Sequence, residues 1–313
     1  MELFYGFDKI DALKPSAITI GTYDGVHKGH RKVLSALSSL SRQHGLASLI
    51  ITLSPHPRIV LNSDSNVKLI DTEQEKYEKF GALGIDFTVV IPFDKDFARM
   101  SYKAFVEDLL VKRLNIDFFV FGKDHRFGHK REGNLSALDA LAKKHQFNIK
   151  YVHTFVQEGI DISSTKIRQA LENGEVEKAN MMLGQEFSLS ALVVDGHKHG
   201  SCLGFPTANL FIDNPYKIIP AQGVYAVKVW HDGSCYKGMM NIGKNPTMKT
   251  DDKVSLEVHI FDFKKNIYNN ILKVLFVKKI RDEIKFESPE ALKAQLKKDK
   301  AIVASVLSNS TGL

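Results

Sequence analysis

The stretch "ITIGTYDGVHKGH", Ile18 to His30, runs β-branched residues into a glycine, then adds an acid, two more glycines and two histidines three positions apart. A short Ile/Thr run bounded by glycine reads as a buried strand. Val33, Leu34, Leu37 and Leu40 follow at helical spacing. A glycine-rich turn between a parallel strand and a helix suits phosphate, because backbone N–H groups and the positive end of the helix dipole converge there. In open α/β sheets the ligand crevice lies at the carboxyl ends of the strands. Gly21, Tyr23, Asp24, Gly25 and Gly29 are the candidate phosphate loop, with Gly29 leaving room for close approach. His27 and His30 can donate to phosphate oxygens as charge builds in a transition state. Two other readings stand beside this one. A metal pair needs three or four ligands, and no nearby Cys or His completes the set; surface histidines in a loop are the bland alternative. Asp24 reads equally as a turn residue.

Outward from this loop, the first half alternates strands with helical patterns. "AITIGTY", "LASLIITLSP", "FTVVIPF", "DFFVFG" and "IKYVHTF" are short, rich in Val, Ile and Phe, and bounded by Gly or Pro. Phe105, Leu109, Leu110 and Leu114 follow helical spacing. Strand then helix, repeated, predicts a parallel sheet covered on both faces. Near Ser188 the character changes: "ALVVDG", "TANLFI", "GVYAVKVW", "CYKGMMNIG", "VSLEVHIFDF" and "ILKVLFVKKI" follow closely, with an Asp232-Gly233 hairpin signal. This predicts a small antiparallel barrel or sandwich, closed by a helix with Ser288 as N-cap and Pro289 at its first position. The boundary is expected at 184–188, giving domains 1–185 and 186–313.

At 313 residues the chain suits two domains. Hydrophobic residues at 43% and charged residues at 25% are ordinary for a globular protein. Its apolar runs are too short to span a bilayer, and the N-terminus lacks the pattern of a secretory signal. The expected location is cytoplasmic, with no membrane partner. The two cysteines, Cys202 and Cys235, are expected as reduced thiols. A net charge of +7 and a pI of about 9.1 raise a nucleic-acid partner. The lysines are scattered, however, and modest basicity also suits an enzyme that handles several phosphates, so nucleic acid is the minor reading. Nothing in the sequence assigns an oligomeric state.

A second segment, "ISSTKIRQAL", Ile162 to Leu171, places Ser163, Ser164 and Thr165 before a helix expected to start near Lys166. Hydroxyls can cap that helix and form another anion site. Arg168, one turn in, can reach a phosphate with two donors. A simple cap beside a surface arginine is the competing reading. "GTYDGVHKGH" resembles the HxGH-type signature of the nucleotidylyltransferase superfamily in its GTFDGVHxGH form, and "ISSTKIR" resembles that family's second signature. "FGKDHRFGHKREGN", Phe121 to Asn134, is similar to the flavin and nucleotide loop of the same module in bacterial bifunctional riboflavin kinase/FAD synthetases. The resemblance implies adenylylation of FMN by ATP, His27 and His30 stabilising the α-phosphate. It also implies contacts from Asp124 and Phe127 to the flavin or nucleotide.

"GHKHGSCLGFPTANL", Gly196 to Leu210, resembles the riboflavin kinase signature, and "GVYAVKV", "GMMNIGKNPT" and "LEVHIFDF" follow as in that family. The two resemblances together cover nearly the whole chain. They imply an α/β fold with an N-terminal Rossmann-like nucleotidylyltransferase domain on a parallel sheet, then a small antiparallel β-barrel riboflavin kinase domain with a terminal helix. Gly196, Lys198, Gly200 and Gly204 would hold ATP phosphates, the glycines by exposing backbone donors. Mg2+ takes oxygen ligands and few of them from protein; the Thr207 hydroxyl and Asn209 amide are the implied pair. Glu257 would be the base for the riboflavin 5′-hydroxyl, a solvent-facing strand carboxylate being the competing reading, and Asn241 would contact the flavin. The chain departs from the family pattern at Ser201, where arginine is usual, at Asp195 before Gly196, and at the "YNN" turn, 268–270. The implied enzyme converts riboflavin to FMN and FMN to FAD, with ATP as co-substrate. An FAD synthetase with a weakened kinase domain, and a non-catalytic flavin-binding regulator of RNA, are the alternatives.

Overall fold

The computed structural model describes residues 1–7, 10, 14–61, 67–122, 135–152, 156–157, 160–196, 203–244 and 254–309. They form two compact units, Met1–Ser163 and Ser164–Leu313.

The first unit is built on six parallel strands: β1 (Glu2–Tyr5), β2 (Ser16–Ile20), β3 (Ala47–Ser54), β4 (Phe87–Pro92), β5 (Ile116–Gly122) and β6 (Asn148–Val152). They are ordered β1-β4-β3-β2-β5-β6. Both faces of the sheet are covered, which is why its strands read as unbroken apolar runs. Ile18 and Leu49 enter one hydrophobic cluster with Val106 and Leu110, while Ala17 and Ile50 enter another with Leu34, Leu37 and Phe80. Alternate residues of a strand face opposite ways, so each run serves two cores. Buried hydroxyls are satisfied: Ser16 Oγ donates to the Leu114 carbonyl at 2.7 Å and Thr19 Oγ1 to that of Val120 at 2.9 Å.

Helix α1 (Lys28–His44) follows β2 and ends at Gly45 in the left-handed region (φ 66°), where a residue without Cβ costs least. Helix α2 (Pro57–Leu61) and helix α3 (Glu73–Ala82) precede β4, and α3 starts with a reciprocal capping box between Thr72 and Glu75. The stretch expected as one helix around Phe105 is a short α4 (Tyr102–Ala104) that widens into a π-helix, Phe105–Val111. Bonds from Lys112 N to Glu107 O and from Leu114 N to Leu109 O carry that wider pitch. Helix α5 (Leu135–His145) precedes β6, and β7 (Val156–Gln157) pairs antiparallel with β8 (Ile160–Asp161). β1 carries no turn or periodicity signal and was not expected; its pairing of Glu2 with Phe87 places it at the sheet edge.

The second unit opens with α6 (Ser164–Glu172) and α7 (Val176–Leu183). A closed antiparallel barrel follows, which decides between barrel and sandwich: β9 (Phe187–Val194), β10 (Ala208–Phe211), β11 (Gly223–His231), β12 (Ser234–Lys244), β13 (Val254–Ile260) and β14 (Ile271–Arg281), in the order β10-β13-β12-β11-β14-β9. The β11–β12 hairpin turns on Asp232 (φ 50°) and Gly233 (φ 71°), the two left-handed residues that a tight hairpin of this twist requires. Helix α8 (Pro289–Asn309) is capped by Ser288, whose Oγ accepts from Ala291 N at 3.2 Å, and packs Val303 and Leu307 against Ala226 and Met239. Asn180 of α7 joins the barrel by donating to the Phe276 carbonyl at 2.8 Å and accepting from Phe187 N at 2.7 Å. Cys235 is an exposed free thiol; Cys202 lies outside the described residues. Among the described residues no helix is long and apolar enough to cross a membrane.

Candidate functional site

In the parallel sheet, the chain steps from β2 to β3 to β4 on one side, then returns to place β5 on the other side of β2. Strand order reverses there, so the carboxyl ends of β2 and β5 border the crevice where such sheets take ligands. The loop after β2 is the glycine–histidine segment. Its backbone leaves the strand at Gly21, because Tyr23 (φ 50°), Gly25 (φ 86°) and Val26 (φ 40°) are left-handed.

Each loop residue has a definite surrounding. Tyr23, expected in the phosphate loop, has its side chain buried (1% exposed), with its ring edge-on to His30 and Phe80. Its hydroxyl lies 2.8 Å from Thr19 Oγ1; since that oxygen gives its own proton to Val120, the phenol donates. Burial pushes the phenol pKa well up, so Tyr23 stays neutral and props His30. A Cβ on Gly21 would fall 2.9 Å from the Tyr23 ring. Asp24 is buried and accepts from Ile70 N at 2.9 Å and Asp71 N at 3.1 Å. A Cβ on Gly25 would meet Ile70 at 2.9 Å. Asp24 and Gly25 therefore lash the loop to the 70–71 segment, where Asp71 pairs with Lys79 at 2.5 Å.

His27 is the N-cap of α1, its Nδ1 accepting from His30 N at 3.3 Å. In the neutral ring the proton then sits on Nε2. The two imidazoles stack with centroids 3.6 Å apart. Gly29 has the His27 ring for its neighbour: a Cβ there would lie 3.1 Å from Cε1.

Ser163 closes the first compact unit and Ser164 opens the second. Helix α6 begins at Ser164, two residues earlier than expected, so Ser164 and Thr165 form its first turn. Arg168 is 7% exposed, a buried cation and not a surface one. Asp124 and Phe127 lie outside the described residues.

In the barrel, Asn209 of β10 and Asn241 of β12 are both register partners of Glu257 on β13. Directly opposed residues share a face, so an amide, a carboxylate and an amide stand in one row. Thr207 Oγ1 donates to Glu257 Oε2 at 3.1 Å and Ser255 Oγ to Oε1 at 3.2 Å. Glu257 is half-buried and lines a cavity of about 260 Å³ with Phe205, Thr207, Asn241, His259 and Arg281. A Cβ on Gly196 would fall 1.9 Å from Asn209 Nδ2, so any larger residue there would displace the Asn209 amide. Gly204 is left-handed at φ 82°. Lys198, Gly200 and Ser201 lie outside the described residues.

Sequence reasoning missed His259 and Arg281. His259 sits two residues beyond Glu257 on one strand, so the period-two rule that orients Glu257 orients it too. Its Nδ1 lies 2.7 Å from the Pro206 carbonyl and therefore carries the proton; burial lowers its pKa.

A family model described as FAD synthetase matches residues 9–166, and one described as riboflavin kinase matches 183–307. A bifunctional riboflavin kinase/FMN adenylyltransferase of Listeria monocytogenes is 38% identical over 90% of this chain and 89% of its own length. The chain belongs to the bifunctional riboflavin kinase/FMN adenylyltransferase family. The Bacillus subtilis member is 37% identical over 94% of this chain and 93% of its own, and the Escherichia coli K12 member 36% over 90% of each. A crystal structure from Streptococcus pneumoniae, described as a macrolide-efflux protein, superposes with a TM-score of 0.89 at 29% identity, covering 96% of this chain and 98% of that one. Both halves of the family pattern are thus present in one chain.

Proposed function

We propose how this bifunctional riboflavin kinase and FMN adenylyltransferase divides its work: adenylylation in residues 1–185 and phosphorylation in 186–313. The row Asn209–Glu257–Asn241 at the barrel cavity carries the kinase reading. The largely apolar cavity receives the riboflavin ring. Glu257 accepts the proton of the 5′-hydroxyl as that oxygen attacks the γ-phosphorus of ATP, and ADP leaves. Thr207 donates to the Glu257 carboxylate and holds it in place. Gly196 and Gly204, with Lys198 and Gly200, form the phosphate loop. The Thr207 hydroxyl and the Asn209 amide oxygen are both oxygen donors. Among the described residues no cluster of three His, Cys, Asp or Glu competes with them for a metal. That donor set fits Mg2+, which keeps several waters and shares phosphate oxygens; the ion supplies charge neutralisation on ATP.

In the other half, a phosphate oxygen of FMN attacks the α-phosphorus of ATP and pyrophosphate leaves. His27, through Nε2–H, and His30 donate to the charge that develops there. Gly21, Gly25 and Gly29 shape the loop. Ser163, Ser164, Thr165 and Arg168 hold phosphates, and Asp124 and Phe127 contact the flavin. No covalent enzyme intermediate is involved: the site works by positioning and charge stabilisation. The cytoplasm is the compartment that supplies these substrates.

Incubation with riboflavin and Mg-ATP, followed by chromatography, tests the reading. FMN and FAD are both expected. FAD from added FMN alone would establish a weakened kinase half, and neither product would leave flavin binding without turnover.

A further inference from the structure

Arg281 ends β14 at the wall of the barrel cavity, and Asp299 of α8 holds its guanidinium. Nε lies 3.2 and 3.0 Å from the two carboxylate oxygens and Nη2 donates to Oδ2 at 2.8 Å. Asp299 is wholly buried and also accepts from Gln295 Nε2 at 2.8 Å. The same guanidinium donates through Nη1 to the Asp282 carbonyl at 2.9 Å and lies 5.8 Å from the centre of the Phe286 ring. One cation thus joins the strand end, the helix and the 282–286 segment. That segment lends Glu283 and Phe286 to the cavity, and α8 lends it Leu296. Forked charge-assisted bonds fix orientation as well as distance. A buried ion pair is often no more stabilising than apolar residues of similar volume, so stability alone does not account for it.

We propose that Arg281 and Asp299 are a positioning pair for the kinase reaction, setting the cavity wall against which riboflavin binds. The inference rests on the assignment of the barrel cavity to riboflavin. Loss of the pair loosens the wall on both sides at once, so riboflavin capture falls while Glu257, on another strand, still removes the proton.

The test compares the full-length wild type with Arg281→Met/Asp299→Leu, which replaces both charges by apolar groups, and with Arg281→Lys, which keeps the charge but loses the fork. Circular dichroism and thermal unfolding report folding; FMN formation is followed at varied riboflavin and varied ATP. The riboflavin KM is expected to rise about tenfold or more in the double variant as the wall loosens, and less in the lysine variant. The kcat, the ATP KM and FAD formation from FMN should hold. An unchanged riboflavin KM in both variants, with or without a lower melting temperature, overturns the proposal. So does loss of the folded barrel in both, which makes the pair purely structural. Absence of FMN formation in the wild type would instead overturn the kinase assignment itself.

Discussion

The imidazoles of His27 and His30 stack with centroids 3.6 Å apart and planes 19° apart, while the backbone N–H of His30 donates to Nδ1 of His27. The second histidine therefore sets the tautomer of the first, and the Tyr23 ring supports the second edge-on at 5.1 Å. Replacing His30 with Ala keeps its backbone N–H, and so the cap, but removes one side-chain donor. Loss of such a donor costs about a hundredfold or more in rate. FAD formation from FMN should fall by that order and FMN formation from riboflavin should not change. Near-normal FAD formation would remove His30 from the mechanism.

Asp24 decides between touching substrate and holding the loop. Asp24→Ala leaves the Ile70 and Asp71 N–H groups without their acceptor, at about 1–3 kcal/mol for each buried donor left unpaired. Asp24→Asn retains an oxygen that can accept both. Denaturant unfolding should show the alanine variant clearly destabilised and the asparagine variant near wild type, with FAD synthesis preserved in the latter. An asparagine variant that is stable yet inert would put the carboxylate on the nucleotide.

These two sites differ in how far sequence alone reaches them. Ile18 and Leu49 against Ala17 and Ile50 show why the strands were legible: burial on both faces makes each an apolar run. The Asp232-Gly233 turn was equally legible, since few residues accept left-handed backbone. The role of Tyr23 was not, because the contact of its ring with Phe80 joins residues far apart in the chain. β1 was missed for the same reason, its four residues being held by a partner strand some eighty positions away. Arg281 and Asp299 are 18 residues apart on different elements, and no local periodicity announces such a pair.

His259 predicts a pH effect in the barrel. Its pKa is lowered from the ordinary 6.5 by burial above all; the hydrogen bond to the Pro206 carbonyl pulls it part of the way back, and the weaker effects of Lys300 (downward) and Asp262 (upward) follow. Below about 6.5 the unfolded chain binds a proton that the folded one does not, so stability rises with pH in that window. Acidifying from pH 7.5 to 5.5 should therefore lower the melting temperature of the wild type more than that of His259→Asn, which keeps a donor near the Pro206 carbonyl and does not titrate. Parallel curves for the two proteins would show that His259 charges as readily folded as unfolded.

Glu257 is held by Thr207 at 3.1 Å and Ser255 at 3.2 Å; Glu257→Gln keeps its size, removes its capacity to take a proton, and makes one of those two hydroxyls turn to accept from the new amide. A general base contributes roughly a hundred- to ten-thousandfold. FMN formation should fall by that order, with riboflavin binding, read by flavin fluorescence, little changed and adenylylation of added FMN intact. Retained kinase activity would make Glu257 a wall residue only.

Truncation separates the two roles of the 164–183 segment. Its start, Ser164 to Arg168, carries the phosphate-binding residues proposed for adenylylation, yet α6 and α7 belong to the same compact unit as the barrel. A fragment beginning at Gln185 keeps every barrel strand, Glu257 and the cavity, so it should phosphorylate riboflavin. It also loses Asn180, leaving the Phe276 carbonyl and Phe187 N–H without the amide that joins them, and it loses the Leu171 carbonyl that accepts from Ala221 N at 3.0 Å. Each buried group left unpaired costs about 1–3 kcal/mol. A fragment beginning at Ser164 restores all three bonds and should melt several degrees higher at equal kcat. Neither fragment should make FAD. Equal melting temperatures would show that α6 and α7 contribute nothing to the barrel. A shorter fragment that is folded but inert, beside an active longer one, would place part of the kinase machinery in the two helices.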